Sequence, residues 1–174
     1  PASAECAMQQ AGTPAQDALA RNARLFDSLV DSYDAVGVEF FGPIGRGLVS
    51  ALGLRTGERV ADHGCGKGAF LLPAARAVGA TGRVVGTDVS PQMVRAAALG
   101  AGDGGLGNVE VLVDDAQSPA LAPDAFDVVA ASLVLFFLPD PLAALRTWID
   151  LLVPGGRLGV STFGQQDQTW CAVD

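Results

Sequence analysis

The sequence is short of positive charge. Among its 174 residues there are 11 Lys and Arg against 19 Asp and Glu, which gives a formal net charge of -8 at pH 7. Without a basic patch, an acidic protein is repelled by nucleic acids and by anionic membranes, so we expect neither as a partner. This charge balance favours a small molecule as the ligand.

Cysteine is also scarce. The three residues Cys6, Cys65 and Cys171 are odd in number and far apart, and they show no CxxC spacing. Neither a disulfide framework nor a zinc site is therefore predicted. This cysteine usage is typical of proteins in a reducing cytoplasm, where we expect this chain to reside.

Long apolar runs are absent as well. The longest stretch, from Phe126 to Leu138, is interrupted by Asp127 and Ser132 and is too short to span a bilayer. The N-terminus lacks the basic and then apolar pattern of a signal peptide. With 49% hydrophobic and 17% charged residues, the chain instead has the composition of one α/β domain around a buried sheet.

From residue 59 onward, short apolar segments alternate with helical ones. Helices are predicted at 68–78, 91–99 and 141–152, and the strands are predicted at 59–62, 83–87, 109–113, 126–131 and 157–162. This alternation predicts a Rossmann-like, doubly wound and mostly parallel α/β sheet with helices on both faces.

Three kinds of residue punctuate the predicted helices. Ser90 is expected to cap the helix that begins with Pro91, and Gly100 is expected to end it. Pro43 is expected to break the chain before a helix over 44–52. Pro73 lies inside the helix predicted at 68–78, which it should bend or whose early turn it should relax.

We divide the chain into three parts. Residues 1–14 are small and polar and are expected to be frayed, and residues 15–53 read as an N-terminal helical segment that acts as a lid. Residues 54–174 form the predicted Rossmann-like core.

The stretch VADHGCGKG, residues 60–68, places a glycine-rich turn directly after the first predicted strand. In an open parallel sheet, ligands bind beyond the carboxyl ends of the strands where the strand order reverses. Gly64 and Gly66 would let a ligand approach the backbone, and the next helix offers free N–H groups. Asp88 follows at about the distance at which this fold places a carboxylate on ribose hydroxyls. The ligand is therefore expected to contain adenosine or a similar nucleoside.

These residues leave two kinds of cofactor open. Gly64, Gly66 and Ala69 satisfy the dinucleotide pattern G-x-G-x-x-A, so an NAD(P)-dependent oxidoreductase is an alternative. Asp62 argues against it, because a carboxylate beside the turn would repel a pyrophosphate and attract an ammonium or a sulfonium. A ligand with a cationic end is the better match.

VADHGCGKG resembles the first motif of the class I S-adenosylmethionine-dependent methyltransferases of the bacterial small-molecule type. Four further segments agree with that family in order: VVGTDVSPQMV, VLVDDAQ, FDVVAAS and LLVPGGRLGVSTF. The resemblance runs from about residue 33 to residue 163. It implies S-adenosylmethionine as cofactor, S-adenosylhomocysteine as product and a small-molecule acceptor, and the Gly- and Ala-rich character favours secondary metabolism.

The resemblance also implies roles for individual residues. Asp62 and the backbone of the glycine turn would hold the methionine end of the cofactor, while Asp88 would bind the ribose hydroxyls. Asp115 would accept a hydrogen bond from the adenine amino group, and Tyr33 would close over the cofactor. The full set of implied cofactor contacts is Tyr33, Asp62, Gly64, Cys65, Gly66, Gly68, Asp88, Val89, Met93, Asp115, Ala116 and Ser132.

The catalytic residue stays unknown at this point. His63, the only histidine, is a weak candidate for a general base, because it occupies a place where relatives usually carry an aliphatic residue. Many relatives have a histidine shortly after strand four, where this chain has Leu135–Leu138 with two phenylalanines that are expected to wall an apolar substrate pocket. Ser132 stands where metal-dependent relatives carry a carboxylate, so no metal is expected.

One departure from the family concerns length. Relatives usually complete the sheet with two more strands after the fifth, whereas this sequence stops at Asp174. We expect the C-terminal strands to be missing, and either a further segment or a second copy to cover the exposed strand edge. A cofactor-binding domain without catalysis of its own is therefore a further alternative.

Overall fold

The computed structural model of the chain describes residues 14–30 and 40–164, with side chains from Leu19 onward. Helices α1 to α5 span Pro14–Leu29, Phe41–Leu52, Leu71–Val78, Pro91–Asp103 and Pro141–Asp150. Strands β1 to β5 span Arg59–His63, Arg83–Asp88, Val109–Val113, Phe126–Ser132 and Leu152–Ser161. A short 3-10 turn, Leu135–Phe137, follows β4.

The five strands form one parallel sheet in the order β3-β2-β1-β4-β5. The chain runs outward from β1 to β3 and then returns to the other side of β1 with β4. The strand order therefore reverses between β1 and β4, which opens a crevice at their carboxyl ends. This confirms the predicted fold class.

Side chains of the three central strands, β1, β2 and β4, alternate between two apolar cores. In β1, Val60 packs on the side of the sheet that α2, α3 and α4 cover, whereas Ala61 packs on the side that α5 covers. Because successive strand residues point to opposite faces, Asp62 and His63 also point to opposite faces. Two adjacent ionisable residues thus enter different environments.

Both prolines that were expected to interrupt helices are accommodated instead. Helix α2 begins at Phe41 and helix α3 at Leu71, so Pro43 and Pro73 are each the third residue of a helix. A first-turn residue needs no intrahelical partner for its N–H group, and proline has none to satisfy. The expected break at Pro43 is therefore wrong. At Pro73 the relaxed early turn is found, because residues 68–70 form a turn and the helix begins only at Leu71.

Helix α4 begins as predicted and ends later than predicted. Its first turn is capped by Ser90, whose Oγ accepts a hydrogen bond from the N–H of Met93 at 3.1 Å. The helix continues through Gly100 to Asp103. A Cβ on Gly100 would lie 3.1 Å from Cδ1 of Leu72, so this glycine lets α3 and α4 pack closely and does not end the helix.

The last helix and strand also differ from the prediction. Helix α5 ends at Asp150 and β5 begins at Leu152, five residues before the predicted start of that strand. An irregularity in the pairing of β4 with β5 allows this, because Phe126 pairs with Leu152 whereas Val128 pairs with Arg157. Within the described ranges, β5 pairs with β4 alone.

Several residues discussed above fall outside the described ranges. They include Tyr33, Cys6 and Cys171. None of the helices in the described ranges is both long and apolar enough to cross a membrane.

Arginines pair with acids at the amino-terminal end of the sheet. Arg157 donates to both carboxylate oxygens of Glu58, each at 2.8 Å. Arg59 donates to both oxygens of Asp127, at 3.0 and 3.1 Å. These hydrogen bonds lower the pKa of Glu58 and the pKa of Asp127, so both carboxylates are held in their charged form.

Candidate functional site

The turn after β1 combines left-handed backbone with close packing. Gly64, Gly66 and Gly68 have φ angles of 65°, 53° and 97°. A Cβ on Gly64 would lie 2.4 Å from Cγ2 of Val134, whereas a Cβ on Gly66 would meet nothing within 4 Å. Packing therefore requires glycine at position 64, while the space above Gly66 is open to an approaching ligand.

Asp88 holds this turn in place. Its Oδ2 accepts a hydrogen bond from the N–H of Gly66 at 2.8 Å, and its Oδ1 accepts from the N–H of Ser90 at 2.9 Å. Burial raises the pKa of Asp88, and these amide contacts oppose the rise. The carboxylate thus joins the ends of β1 and β2, and each oxygen retains capacity for a further hydrogen bond from a ligand.

A large cleft lies over the carboxyl ends of β1, β2 and β4. It encloses about 640 Å³ and opens to solvent. Many of the residues predicted from the sequence line it together: Gly64, Gly66, Asp88, Val89, Met93, Asp115, Ala116 and Ser132.

A small cleft of about 410 Å³ lies on the other side of the glycine turn. Its lining includes Asp62 and Cys65, together with Gly64, Gly66 and Ser132, which it shares with the large cleft. Gly68 lines neither cleft. A Cβ there would lie 2.8 Å from Cγ of Leu72, so its role is in the packing of α3.

Asp62 is the most unusual group of the small cleft. Its residue is 1% exposed, and neither carboxylate oxygen makes a hydrogen bond. Burial raises the pKa of Asp62 well above its ordinary value and the nearby charge of Asp88 adds to the rise, whereas the backbone N–H of Leu71, which forms no regular hydrogen bond with the carboxylate, opposes it. A carboxylate in this position is costly unless a cation approaches it.

His63 lies away from both clefts. It is fully buried on the opposite face of the sheet, where its ring stacks on Trp148 at 5.1 Å and its Nδ1 lies 3.0 Å from Oγ1 of Thr87. Burial lowers the pKa of His63 to about 4. The structure thus gives the candidate base from the sequence a place in the core.

Helix α1 supplies cleft residues that the sequence reasoning did not identify. Leu19, Asn22 and Phe26 line the large cleft. Asp27, the next residue, accepts hydrogen bonds from Oγ of Ser90 at 2.5 Å and from the N–H of Gln92 at 3.2 Å. Positions 19, 22 and 26 have the spacing of one helix face, but only the fold shows that this face covers the cleft.

Helix α5 holds the segment that contains Asp115 and Ala116. The indole Nε1 of Trp148 donates to the carbonyl oxygen of Ala116 at 2.8 Å. Gln117 forms a pair of hydrogen bonds with the backbone of Asp140, both at 3.0 Å. This wall of the large cleft is therefore tied to the helix at two points.

Comparison with known proteins gives one matching family. The model of the methyltransferase domain family matches residues 60–156. Aklanonic acid methyltransferase DauC of Streptomyces sp. (strain C5) is 44% identical over 137 residues, which are 79% of this chain and 62% of that protein. Nocamycin O-methyltransferase of Saccharothrix syringae is 45% identical over 137 residues, which are 79% of this chain and 49% of that protein.

Solved structures agree with the family match. A SAM-dependent methyltransferase from Aquifex aeolicus superposes with a TM-score of 0.71 at 25% identity, covering 81% of this chain and 74% of that one. The chain thus spans roughly half to three fifths of the curated relatives described above and most of this solved structure.

Proposed function

The chain belongs to the class I S-adenosylmethionine-dependent methyltransferases, and on that premise we propose that it transfers a methyl group from S-adenosylmethionine to a small molecule. The observation that carries this proposal is the pair of clefts that meet at Gly64, Gly66 and Ser132. A ligand with two chemically different halves could occupy both clefts and cross the glycine turn between them.

The large cleft suits the adenosine half. Asp88 offers carboxylate oxygens for the ribose hydroxyls, and Met93 and Val89 offer apolar contact for the base. Asp115 lies in the same cleft, where we propose that it accepts from the adenine amino group. Its Oδ1 already accepts from the N–H of Gln117 at 2.9 Å, which orients the carboxylate.

The small cleft suits the amino-acid half. Asp62 has no hydrogen-bond partner for either oxygen, and an ammonium group beside it would offset the cost of the buried carboxylate. A pyrophosphate in the same place would be repelled. This contact and the family match together favour S-adenosylmethionine over the nicotinamide cofactor that the glycine pattern had left open.

The cofactor supplies a methyl group activated by a sulfonium, and the transfer requires alignment and the exclusion of water. We propose that α1 acts as the lid over the core, as the division at residue 53 predicts, and that Asn22 and Phe26 shield the bound cofactor. His63 is buried on the opposite face of the sheet, away from both clefts, so we assign it no proton-transfer role. The chain's contribution is thus to position both reactants.

The relatives support a proposal for the acceptor class. Two of them are by name methyltransferases of aklanonic acid and nocamycin. We propose that this chain acts on an oxygen atom of a small molecule from secondary metabolism in the same way. Product masses after incubation with labelled cofactor would identify the position of the methyl group.

Calorimetry with S-adenosylhomocysteine tests the cofactor assignment directly. We expect binding of S-adenosylhomocysteine and none of NADH. Asp88→Ala should weaken binding by about 1.5–3 kcal/mol, because it removes charge-assisted hydrogen bonds. Asp103→Ala is a matched control, since Asp103 is exposed at the end of α4 and lines neither cleft.

Two results would contradict the proposal. Binding of NADH without S-adenosylhomocysteine would favour the oxidoreductase alternative. Binding of S-adenosylhomocysteine with no methyl transfer to a broad panel of acceptors would favour a cofactor-binding domain without catalysis of its own.

A further inference from the structure

Six of the eight phenylalanines form a continuous row of ring contacts that reaches from the large cleft to the small cleft. Ring centroids of successive members lie 4.6–5.8 Å apart, which is the range of direct aromatic contact. We call this row the phenylalanine wall. In order of contact its members are Phe41, Phe40, Phe163, Phe136, Phe137 and Phe26.

The wall is exposed in its middle. Phe163 is 59% exposed, Phe136 is 46% exposed and Phe40 is 41% exposed. Exposed large apolar side chains that form one contiguous patch mark binding surfaces more often than isolated ones do. The rings of Phe40 and Phe163 are inclined by 23° to one another, so this part of the wall presents nearly parallel flat faces.

The two ends of the wall enter the two clefts. Phe26 and Phe137 line the large cleft, and Phe41 lines the small cleft. The wall therefore connects the lining of the large cleft with the lining of the small cleft, and the two clefts meet at Gly64, Gly66 and Ser132, beside which a methyl group between the two halves of the cofactor would lie. A molecule resting on the wall would have access to both clefts.

From these observations we propose that the phenylalanine wall binds the methyl acceptor and that the acceptor is a planar aromatic molecule. Aromatic pairs gain from offset stacking and edge-to-face contact beyond the burial of apolar area. A saturated molecule of the same size would gain the area term alone. This inference rests on the proposed function and adds the chemical class of the acceptor.

The test compares 2-naphthol with its saturated counterpart, decahydro-2-naphthol. Both carry one hydroxyl on two fused six-membered rings, and only the first is planar and aromatic. Calorimetric titrations are run on the chain with and without S-adenosylhomocysteine. We expect 2-naphthol to bind roughly 3- to 10-fold more tightly than decahydro-2-naphthol, as stacking predicts.

Substitutions in the exposed middle of the wall sharpen this comparison. Phe136→Leu and Phe163→Leu keep an apolar side chain and remove the ring, so each should reduce the preference for 2-naphthol roughly 3-fold or more. The affinity for decahydro-2-naphthol and for S-adenosylhomocysteine should stay unchanged. Leu142→Ala is the control, because Leu142 is 67% exposed and lies outside the wall.

Each other outcome overturns the proposal. Equal affinity for the two alcohols, or a preference that survives both phenylalanine substitutions, would exclude aromatic recognition by the wall. A concentration-dependent dimer that Phe163→Leu abolishes would assign the wall to contacts between copies. A marked loss of thermal stability in both variants without naphthol binding would show that the chain itself covers the wall. If the unmodified chain did not bind S-adenosylhomocysteine at all, that result would contradict the proposed function and not the inference about the wall.

Discussion

The surroundings at the two ends of the β-sheet favour opposite charge states of the ionisable groups. At the amino-terminal end, Glu58 and Asp127 each receive two hydrogen bonds from an arginine, which lower the pKa of both carboxyls. At the carboxyl-terminal end, burial raises the pKa of Asp62 and lowers the pKa of His63 to about 4. One end favours charged forms and the other favours neutral forms.

This difference separates groups that stabilise the fold from groups available to a ligand. The paired acids at the amino-terminal end contribute to stability at neutral pH, although partial exposure keeps each contribution small. The unpaired Asp62 costs stability in the free protein, and a ligand cation is the partner that would offset this cost. Perturbed groups in a cleft are for this reason candidates for function.

Of the predictions that follow from this comparison, the one for His63 has the largest expected effect, and it concerns the free energy of unfolding. The unfolded chain binds a proton on this histidine near its ordinary pKa of 6.5, whereas the folded chain holds it neutral down to about 4. The free energy of unfolding should therefore fall by about 3 kcal/mol as the pH is lowered from 6.5 to 4. His63→Phe keeps a ring on Trp148 and should lack this part of the pH dependence.

Urea unfolding of the unmodified protein and of His63→Phe, at several pH values between 4 and 7, measures this pH dependence of the free energy of unfolding. Asp62 and Asp88 have raised pKa values, so their contribution to stability rises as the pH falls, which is opposite in sign. Both residues are present in each protein, so the difference between the two profiles reports His63. Parallel profiles would show that His63 is not held neutral.

The next largest effect compares two matched aspartates, one from each end. Asp62→Asn should weaken S-adenosylhomocysteine binding by about 1.5–3 kcal/mol, because it removes the charge that attracts the ammonium. It should leave stability at pH 7 unchanged or raised, since the folded state disfavours the ionised form of this carboxyl. Calorimetry and thermal melts measure both quantities.

Asp127→Asn should lower stability and leave cofactor binding intact, which is the reverse of the result expected for Asp62→Asn. The free energy of unfolding of this variant should fall by about 0.5–1 kcal/mol, a value discounted for the partial exposure of the pair with Arg59. Cofactor affinity should not change. If Asp62→Asn destabilised the protein and bound the cofactor normally, the assigned difference between the two ends would be wrong.

The smallest effect comes from two glycines with nearly the same backbone. Gly66 and Gly53 have φ angles of 53° and 55°, and a Cβ on either would meet nothing within 4 Å. Alanine at either position should cost about 1 kcal/mol of stability, because a left-handed conformation is strained for other residues. Only Gly66→Ala should also weaken S-adenosylhomocysteine binding, since Gly53 lies at the end of α2 and away from both clefts.

Thermal melts and calorimetry on the two variants complete the comparison. Equal cofactor affinity in both variants would show that no ligand approaches the backbone at Gly66. A loss of affinity in Gly53→Ala would point to an indirect effect of stability on binding.

Much of the fold and of the site could be predicted because the signals are local. The alternation of apolar strands with helices predicted the parallel sheet, and the glycine turn with Asp62 and Asp88 at the ends of β1 and β2 predicted the location of the clefts. Both follow from period-two patterning and from residues that stand next to a strand end. The motif that resembles the methyltransferase family added the cofactor.

Predictions that depended on packing were the ones that the structure corrected. Gly100 looks like a helix end in the sequence, yet it faces Leu72 on a neighbouring helix. Pro43 and Pro73 look like helix breakers, yet α2 begins earlier than predicted and α3 begins later, so each proline falls in the first turn of its helix. In each case the deciding neighbour or boundary is set by tertiary contacts.

The amino-acid sequence by itself determined which residues stand at the ends of the strands, because side-chain period and glycine placement act within a few residues. Only the tertiary structure decided which of two adjacent ionisable residues faces a cleft. Asp62 and His63 are neighbours in the chain, and the helices packed on the two faces of the sheet give one an open cleft and the other a buried aromatic partner. Helix α1 and the phenylalanine wall were likewise brought to the site by packing between segments distant in sequence.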